Sequence, residues 1–337
     1  MKKTSLFIVF IVGILLFFIL EISFGNAAIS WRDIRSFFTG NLDSSNQSYT
    51  IIYQLRFPRA LTALLVGSSL ATAGLLMQTF FRNPLAGPSI LGISSGSSLG
   101  VAVVTLASGS VMFSSLGERM TIFLAALFGA LVVLVIIIGV SKFIKQSVTL
   151  LIVGLMISYL TSALVSVLQF NATESSVKAF VVWGMGNFSN ADWGIWWFIL
   201  ISFLLSLILL FFIFKDLNVL LLGDRYAKSM GVNTKRVKLV IILIAGIIVA
   251  VSTAFCGPIA FIGLAVPHLA RGIFKTGDHR ITVPATILLG GFLGLAADFV
   301  SRMPWTEGGL PLNTVTAMIG APVVIVYILK NSKRGYF

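Results

Sequence analysis

The strongest constraint on the fold is an apolar run at residues 60–81 that is entered by two arginines and followed by a second apolar run. About 20 apolar residues suffice for a helix to cross a hydrocarbon core roughly 30 Å thick. The two runs are separated by a proline-containing turn at 83–88, and the second carries Gly92, Gly96 and Gly100 on one helical face. Glycines at this spacing allow helices to approach closely in lipid, so this stretch predicts two membrane helices, the second with a face that another backbone can approach.

The composition indicates a membrane protein throughout. Of the 337 residues, 57% are hydrophobic and 10% are charged, whereas soluble domains have about 25% charged residues. The sequence therefore predicts an all-α polytopic helical bundle, with residues 1–337 as a single transmembrane domain. The net charge of +13 is concentrated at the ends of the apolar runs. Because no basic patch is interleaved with aromatic residues, we expect the partner of this charge to be the lipid bilayer and not nucleic acid.

Ten apolar segments are predicted to cross the membrane, at 6–20, 58–81, 90–107, 120–140, 148–168, 193–214, 238–256, 258–273, 283–300 and 312–329. The first is either a secretory signal or a retained helix, and Glu21 with its large neighbours favours retention. An even number of spans places both termini on one side. Most lysines and arginines fall in the loops on that side, so the positive-inside rule predicts cytoplasmic termini.

Two polar segments, 26–55 and 169–192, are predicted to lie outside the cell. In the first, Trp31, Ile34 and Phe38 share one side of a short helix, as is typical of a helix at a membrane surface. The second contains an apolar stretch that is too short to span the membrane. We expect it to form a half-helix or a re-entrant segment.

Motifs for catalysis and metal binding are absent from the sequence. No glycine is followed by lysine, so the chain has no GxxxxGK[ST] phosphate-binding loop. The two histidines, His268 and His279, form no HExxH motif, and no carboxylates pair on one helix face. We therefore expect no catalytic residue, no metal site and no cofactor bound by this chain.

The longest predicted cytoplasmic loop is 215–238. It contains a short helical segment after a Leu-Leu-Leu-Gly-Asp sequence, with Gly231 as its end. Asp224 is suited to capping that segment, and we expect Ala227 and Met230 on one side of it. A small helix with an apolar face either folds back on its own bundle or docks a cytoplasmic partner.

Five separated motifs carry a resemblance to a known family. They are RFPR at 56–59, NPLA at 83–86 with LG at 91–92, GD at 223–224 with MGV at 230–232, GPIAFIGL at 257–264 with PH at 267–268 and Arg271, and GAP at 320–322. Together, and in this order, they resemble the permease family of ATP-binding-cassette importers for iron-siderophores, haem and cobalamin. The resemblance covers residues from about 50 to 330.

The resemblance implies a multi-pass permease in the bacterial cytoplasmic (inner) membrane. It implies ten helices per subunit, a second copy of the chain, two cytoplasmic ATPase subunits that hold ATP and Mg²⁺, and an external substrate-binding protein. The chain itself is then not an enzyme. The expected cargo is an iron(III)-siderophore chelate, moved by alternating access at the homodimer interface, with haem and cobalamin left open. A secondary transporter driven by an ion gradient is the alternative class, and the 215–238 loop with the scarcity of buried ionisable residues favours the importer.

The resemblance also implies three groups of site residues. Arg56, Arg59 and Arg302 match outward-facing arginines that meet acidic residues of the binding protein, although an arginine at a helix end also simply snorkels to headgroups. The residues that match the ATPase-coupling segment are Leu220, Leu222, Gly223, Asp224, Ala227, Met230, Gly231 and Val232. Those that match positions near the cytoplasmic gate are Asn83, Leu85, Ser147 and Val148.

Overall fold

The structure of the chain, a computed structural model, describes residues 3–25, 27, 29–107, 116–144, 146–189, 192–302 and 309–332. Every regular element within these ranges is helical, so the all-α prediction is confirmed for the described residues. Seven helices are long and apolar enough to cross a membrane, judged by length and composition. Shorter apolar helices at Ile93–Ala107, Ile262–Phe274 and Leu312–Tyr327 coincide with the remaining three predicted spans.

The helices follow one another along the chain with short connections. They are α1 Lys3–Ser23, α2 Trp31–Phe38, α3 Gln47–Thr50, α4 Phe57–Phe81, α5 Ile93–Ala102, α6 Leu116–Phe143, α7 Ser147–Asn171, α8 Glu174–Gly184, α9 Trp193–Leu221, α10 Asp224–Ser229, α11 Thr234–Cys256, α12 Ile262–Phe274, α13 His279–Ser301 and α14 Leu312–Ser332. Two π-helical turns, Ile51–Arg56 and Val103–Ala107, extend α4 backwards and α5 forwards, and a 3₁₀ turn at Pro88–Leu91 precedes α5.

Helix α4 forms the centre of the bundle, and most of its residues are buried among α9, α11, α12 and α13. Glycines bring its backbone against its neighbours. A Cβ atom on Gly67 would overlap the carbonyl oxygen of Gly290 in α13, and one on Gly74 would overlap that of Gly263 in α12. Close backbone approach of this kind is a common way to pack helices in lipid.

The glycines of the second apolar run pack partly as predicted. A Cβ atom on Gly96 would lie 2.5 Å from the carbonyl oxygen of Gly129, and one on Gly100 would overlap that of Ala125. The predicted close approach is therefore confirmed between α5 and α6. Gly92, however, is not helical, because it occupies the turn before α5 with φ +76°, a conformation that disfavours residues with a side chain.

Several predicted boundaries were wrong. Helical backbone is continuous over Gln47–Phe81, so the last residues of the predicted 26–55 segment belong to the long central helix. In the added helical part, Ile52 packs with Ile22 and Ile34. The predicted span at 258–273 contributes only the 13-residue α12, since Gly257 (φ +71°) and Phe261 (φ +65°) hold the preceding backbone in non-helical conformations.

The structure also shows helices in the two segments that were predicted to lie outside the cell, 26–55 and 169–192. The 169–192 segment contains α8, an 11-residue half-helix of the kind predicted. The short helix predicted in the 26–55 segment is present as α2, in which Ile34 is buried whereas Trp31 and Phe38 are exposed. Ile34 packs in a cluster with Ile22 and Ile52.

Candidate functional site

At the first end of α4, Arg59 forms a two-pronged ion pair with a buried carboxylate. Its Nε donates to Oδ2 of Asp298 at 2.8 Å and its Nη2 donates to Oδ1 at 2.7 Å, while Nη1 donates to Ser189 Oγ. The Asp298 side chain is only 1% exposed. A buried carboxylate is stable only when it is paired and hydrogen-bonded, so this contact fastens α4 to α13.

Arg302 extends the same network to the first helix. Its Nε lies 3.5 Å from Oδ2 of Asp298, and its Nη2 forms an ion pair with the buried Glu21 of α1. Arg59, Asp298 and Arg302 also line a cavity of about 680 Å³ at this end of the bundle. The two arginines therefore reach this cavity with their charge already balanced by carboxylates of their own chain.

Arg56 is buried, with 5% of its surface exposed. Its Nη1 donates to the carbonyl oxygens of Ile22 at 2.7 Å and Ser23 at 2.9 Å, and its Nη2 donates to that of Ala27. The last carbonyls of a helix lack intrahelical partners, so Arg56 caps α1. Arg56 also lines the cavity that Arg59 and Arg302 reach, although the end of α1 covers most of its guanidinium.

At the opposite end of α4, the predicted 215–238 loop is mostly helical. Helix α9 continues to Leu221 and α11 already begins at Thr234, because Leu217, Leu220 and Val237 are buried in the bundle. Between them lies α10, a six-residue helix. The prediction of a long loop was therefore wrong, whereas the short helical segment within it is present.

Asp224 does not cap α10. Gly223 occupies the N-cap position with φ +104° and makes no side-chain cap bond, and Asp224 is the first helical residue. Its carboxylate accepts instead from Nζ of Lys238 in α11. This contact links α10 to α11.

The predicted coupling residues divide into buried and exposed groups. Leu220 and Ala227 are buried, Gly223 is buried in the backbone turn, and Val232 is half-buried against the core. Gly231 is exposed and left-handed, with φ +82°. Ala227 is buried whereas Met230 is exposed, because α10 ends at Ser229 and Met230 lies just beyond the helix.

Three exposed apolar side chains, Leu222, Tyr226 and Met230, form what we call the coupling surface. Their exposed fractions are 61%, 68% and 61%. Tyr226 lies in α10, between Leu222 before the helix and Met230 after it, and the family motifs do not include it. Large apolar groups left exposed near one another mark an interaction site more often than chance exposure does.

The gate candidates lie in the turn after α4 and at the start of α7. Asn83 Oδ1 accepts from the backbone nitrogen of Leu85 at 2.9 Å, which fixes the turn after α4, and Leu85 is exposed. Val148 is exposed at the start of α7. The preceding Ser147 accepts from Nζ of Lys238 at 3.3 Å. Lys238 thus bridges a gate candidate and Asp224, a role that the sequence analysis missed.

A polar network joins α9 to α13 at this same end. The carboxylate of Asp278 accepts from the backbone nitrogen of Arg280 at 2.9 Å and from the Asn218 amide at 2.7 Å. These two hydrogen bonds, the backbone one first, lower the pKa of the Asp278 carboxyl. Oδ1 of Asn218 accepts in turn from the backbone nitrogen of His279 at 2.8 Å. The network holds the end of α9, and hence α10, in a fixed position.

Comparison with known proteins identifies relatives over nearly the whole chain. The sequence profile described as the FecCD transport family matches residues 13–330. The vitamin B12 import system permease protein BtuC of Klebsiella pneumoniae subsp. pneumoniae is 35% identical over 292 residues, which cover 86% of each chain. The BtuC protein of Salmonella typhi is 35% identical over 283 residues, or 84% of each chain.

Solved structures show the same architecture. A structure described as an inward-facing conformation of a metal-chelate type ABC transporter matches with a TM-score of 0.84 and 30% identity, covering 97% of this chain and 99% of that chain. PsaBC from Streptococcus pneumoniae, in complex with Fab, matches with a TM-score of 0.55 and 16% identity over 87% and 95% of the two chains, which is a likeness of fold alone. The resemblance drawn from the five motifs is confirmed: the chain belongs to the FecCD transport family.

Proposed function

We propose that the chain is the membrane-spanning permease subunit of an ATP-binding-cassette importer that carries a bulky metal chelate. The observation that carries this proposal is the coupling surface, because a chain without a nucleotide-binding motif presents three large apolar side chains at one end of its bundle. A separate ATPase subunit would bind there and move the helices as rigid bodies. Two such subunits, each holding ATP and Mg²⁺, are expected for a pair of permeases.

The membrane topology that we propose has ten crossings and cytoplasmic termini. Seven long apolar helices and three shorter ones support that number. The distribution of charge supports the orientation, since most lysines and arginines fall on the side of the termini. In this orientation the coupling surface is cytoplasmic, the arginine network faces outward, and the chain is a multi-pass protein of the bacterial cytoplasmic membrane.

A second copy of the chain is proposed to pack against α7. The exposed face of α7 carries the polar side chains of Thr149, Tyr159, Ser162 and Ser166. Helix α9 is also widely exposed, but between 197 and 212 its exposed residues are all apolar, and its serines face inward. The apolar surface of α9 is therefore suited to contact with lipid. The hydroxyl groups of α7 are better suited to a subunit interface and a water-filled pathway.

Crosslinking can test this interface. In a Cys256→Ala background, we expect Ser162→Cys or Ser166→Cys to give crosslinked dimers with a short bifunctional maleimide in native membranes. Ile208→Cys on α9 is the matched control and should remain monomeric. Equal crosslinking of the α9 control, or none from α7, would place the interface elsewhere.

The substrate that we propose is a metal chelate recognised first by an external binding protein. Relatives named as vitamin B12 permeases and a neighbour described as a metal-chelate type transporter support this class. An iron(III)-siderophore was the expectation from sequence, and vitamin B12 is the second candidate, favoured by the names of those relatives. Arg56, Arg59 and Arg302, which all line the outer cavity, would meet carboxylates of the binding protein.

Reconstitution with the ATPase and the binding protein in proteoliposomes tests the function. We expect internal ATP to be required for uptake, and uptake to survive a collapsed proton gradient. Vitamin B12 and a ferric siderophore, each offered with the binding protein, should be distinguished by which one stimulates ATP hydrolysis. Uptake that persists without ATP and stops when the gradient collapses would instead establish a secondary transporter.

A further inference from the structure

A second large cavity, about 700 Å³ in volume, opens at the end of α4 where α10 lies. The end of α6, the start of α7, α10 and the start of α11 form its walls. Five basic side chains line it, namely Lys142, Lys228, Lys235, Arg236 and Lys238. Among the described residues that line it, Asp224 is the only acid, and its carboxylate is already paired with Lys238.

The charge of this cavity is therefore unbalanced. Within the described part of the chain, no carboxylate lies within ion-pair distance of Lys142, Lys228, Lys235 or Arg236. Four like charges around one concave surface create a strong positive potential, which an anion would relieve. The first turn of α11 also borders the cavity through Thr234, and its helix dipole has the same sign.

The cavity is separate from the coupling surface. Asp224 and Lys228, four residues apart, place one side of α10 on the cavity wall. Tyr226 and Met230 are exposed and are not among the residues that line the cavity. An anion and an ATPase subunit could therefore contact α10 at the same time, on different sides.

We propose that this cavity binds a phosphate-bearing anion, either the headgroup of an anionic phospholipid or a free phosphoryl compound. Guanidinium and ammonium groups are the usual protein ligands of phosphate oxygens. Phe143 and Ile144 line the cavity beside Lys142, and Phe143 is 87% exposed at the end of the apolar α6, so an acyl chain has an apolar surface next to the cations. The site does not depend on which chelate is transported.

The test uses the full-length protein in dodecyl maltoside, titrated by calorimetry with dioctanoyl phosphatidylglycerol, dioctanoyl phosphatidylcholine and inorganic pyrophosphate. The cavity variant is Lys235→Gln with Arg236→Gln. The matched control is Lys215→Gln with Arg280→Gln, which removes the same two charge types from exposed residues that do not line the cavity. Lys235→Arg with Arg236→Lys keeps the charge and should keep the binding.

We expect one of the two anions to bind the wild-type protein, and the cavity variant to weaken that binding about tenfold while the control changes it less than about twofold. If phosphatidylglycerol binds and pyrophosphate does not compete with it, the ligand is the lipid headgroup. If pyrophosphate binds and phosphatidylglycerol does not compete with it, the ligand is a free phosphoryl compound. Equal binding of phosphatidylcholine, equal loss in the control, or no binding of either anion would overturn the proposal. Loss of anion binding when the ATPase is added would also overturn it, because an acidic protein segment would then be the occupant.

Discussion

The two ends of α4 use charged and apolar groups in opposite ways. At one end, Arg56 caps α1 and Arg59 and Arg302 neutralise the buried Asp298 and Glu21, so these groups join α1, α4 and α13. At the other end, the coupling surface and four cations of the second cavity have no partner of these kinds among the described residues. The charged groups of the first end are thus paired within the chain, whereas the cations and apolar side chains of the second end lack such partners.

The largest effect on stability should come from Asp298→Ala. Removing the carboxylate leaves the guanidinium of Arg59 without its two-pronged partner, and breaking a buried ion pair costs about 3–5 kcal/mol. We expect a clearly lower midpoint of thermal unfolding for the purified protein in detergent. Asp216→Ala, a half-buried carboxylate at the other end, should change the midpoint little. Equal effects of the two variants would contradict the difference in stability proposed between the two ends of α4.

Arg56→Gln is expected to lower the stability of the protein less than Asp298→Ala does. The variant leaves the final carbonyls of α1 without their donors, and buried acceptors without a partner cost about 1–3 kcal/mol. Amide hydrogen exchange at residues 20–25 should accelerate more than elsewhere in α1. Arg35→Gln, an exposed arginine on the nearby α2, should leave this exchange unchanged, and unchanged exchange in Arg56→Gln would argue against the capping role.

At the second end of α4, Asp224→Asn should lower the free energy of unfolding less than Arg56→Gln does. The contact with Lys238 is partly exposed, and such pairs contribute about 0.2–1 kcal/mol. We expect α10 to loosen from α11 and limited proteolysis between 222 and 233 to become faster, with little change in global unfolding. A drop in thermal stability comparable to that of Asp298→Ala would show that both ends are structural.

The smallest change in stability is predicted for Tyr226→Ala with Met230→Ala. Both side chains are exposed, so the free energy of unfolding should stay within about 0.5 kcal/mol of wild type. ATP-dependent uptake and copurification of the ATPase should nevertheless be lost. Phe211→Ala with Phe212→Ala, two exposed residues of α9, should retain both. Full uptake by the Tyr226 and Met230 variant would remove the coupling surface from the proposed function.

Local patterns in the sequence predicted the helices well because apolar length and glycine spacing act over a few residues. Gly96 and Gly100 indicated that another backbone approaches α5 closely but not that α6 is the partner, whereas the left-handed turn at Gly92 depends on the neighbouring 3₁₀ turn. The length of the 215–238 loop was overestimated, since charged residues near Lys215 and Lys238 concealed the buried Leu217 and Val237.

The candidate site was predictable in its residue positions but not in its partners. Arg59 and Asp298 are 239 residues apart, and no local pattern relates them. Their pairing becomes visible only when α4 and α13 are placed side by side. The same holds for Lys238, which the sequence shows as one cation at the start of an apolar run and the structure shows as a bridge from Ser147 to Asp224.

The glycine contacts of α4 have a further consequence for motion. Because Gly67 meets the backbone of Gly290 and Gly74 meets that of Gly263, no side chain at these two contacts can change rotamer and let one helix slide past the other. Relative displacement would first require the backbones to separate against the surrounding packing. During a transport cycle, α4, α12 and α13 are therefore expected to travel as a single block, and the adjustable joints must lie at the margins of that block.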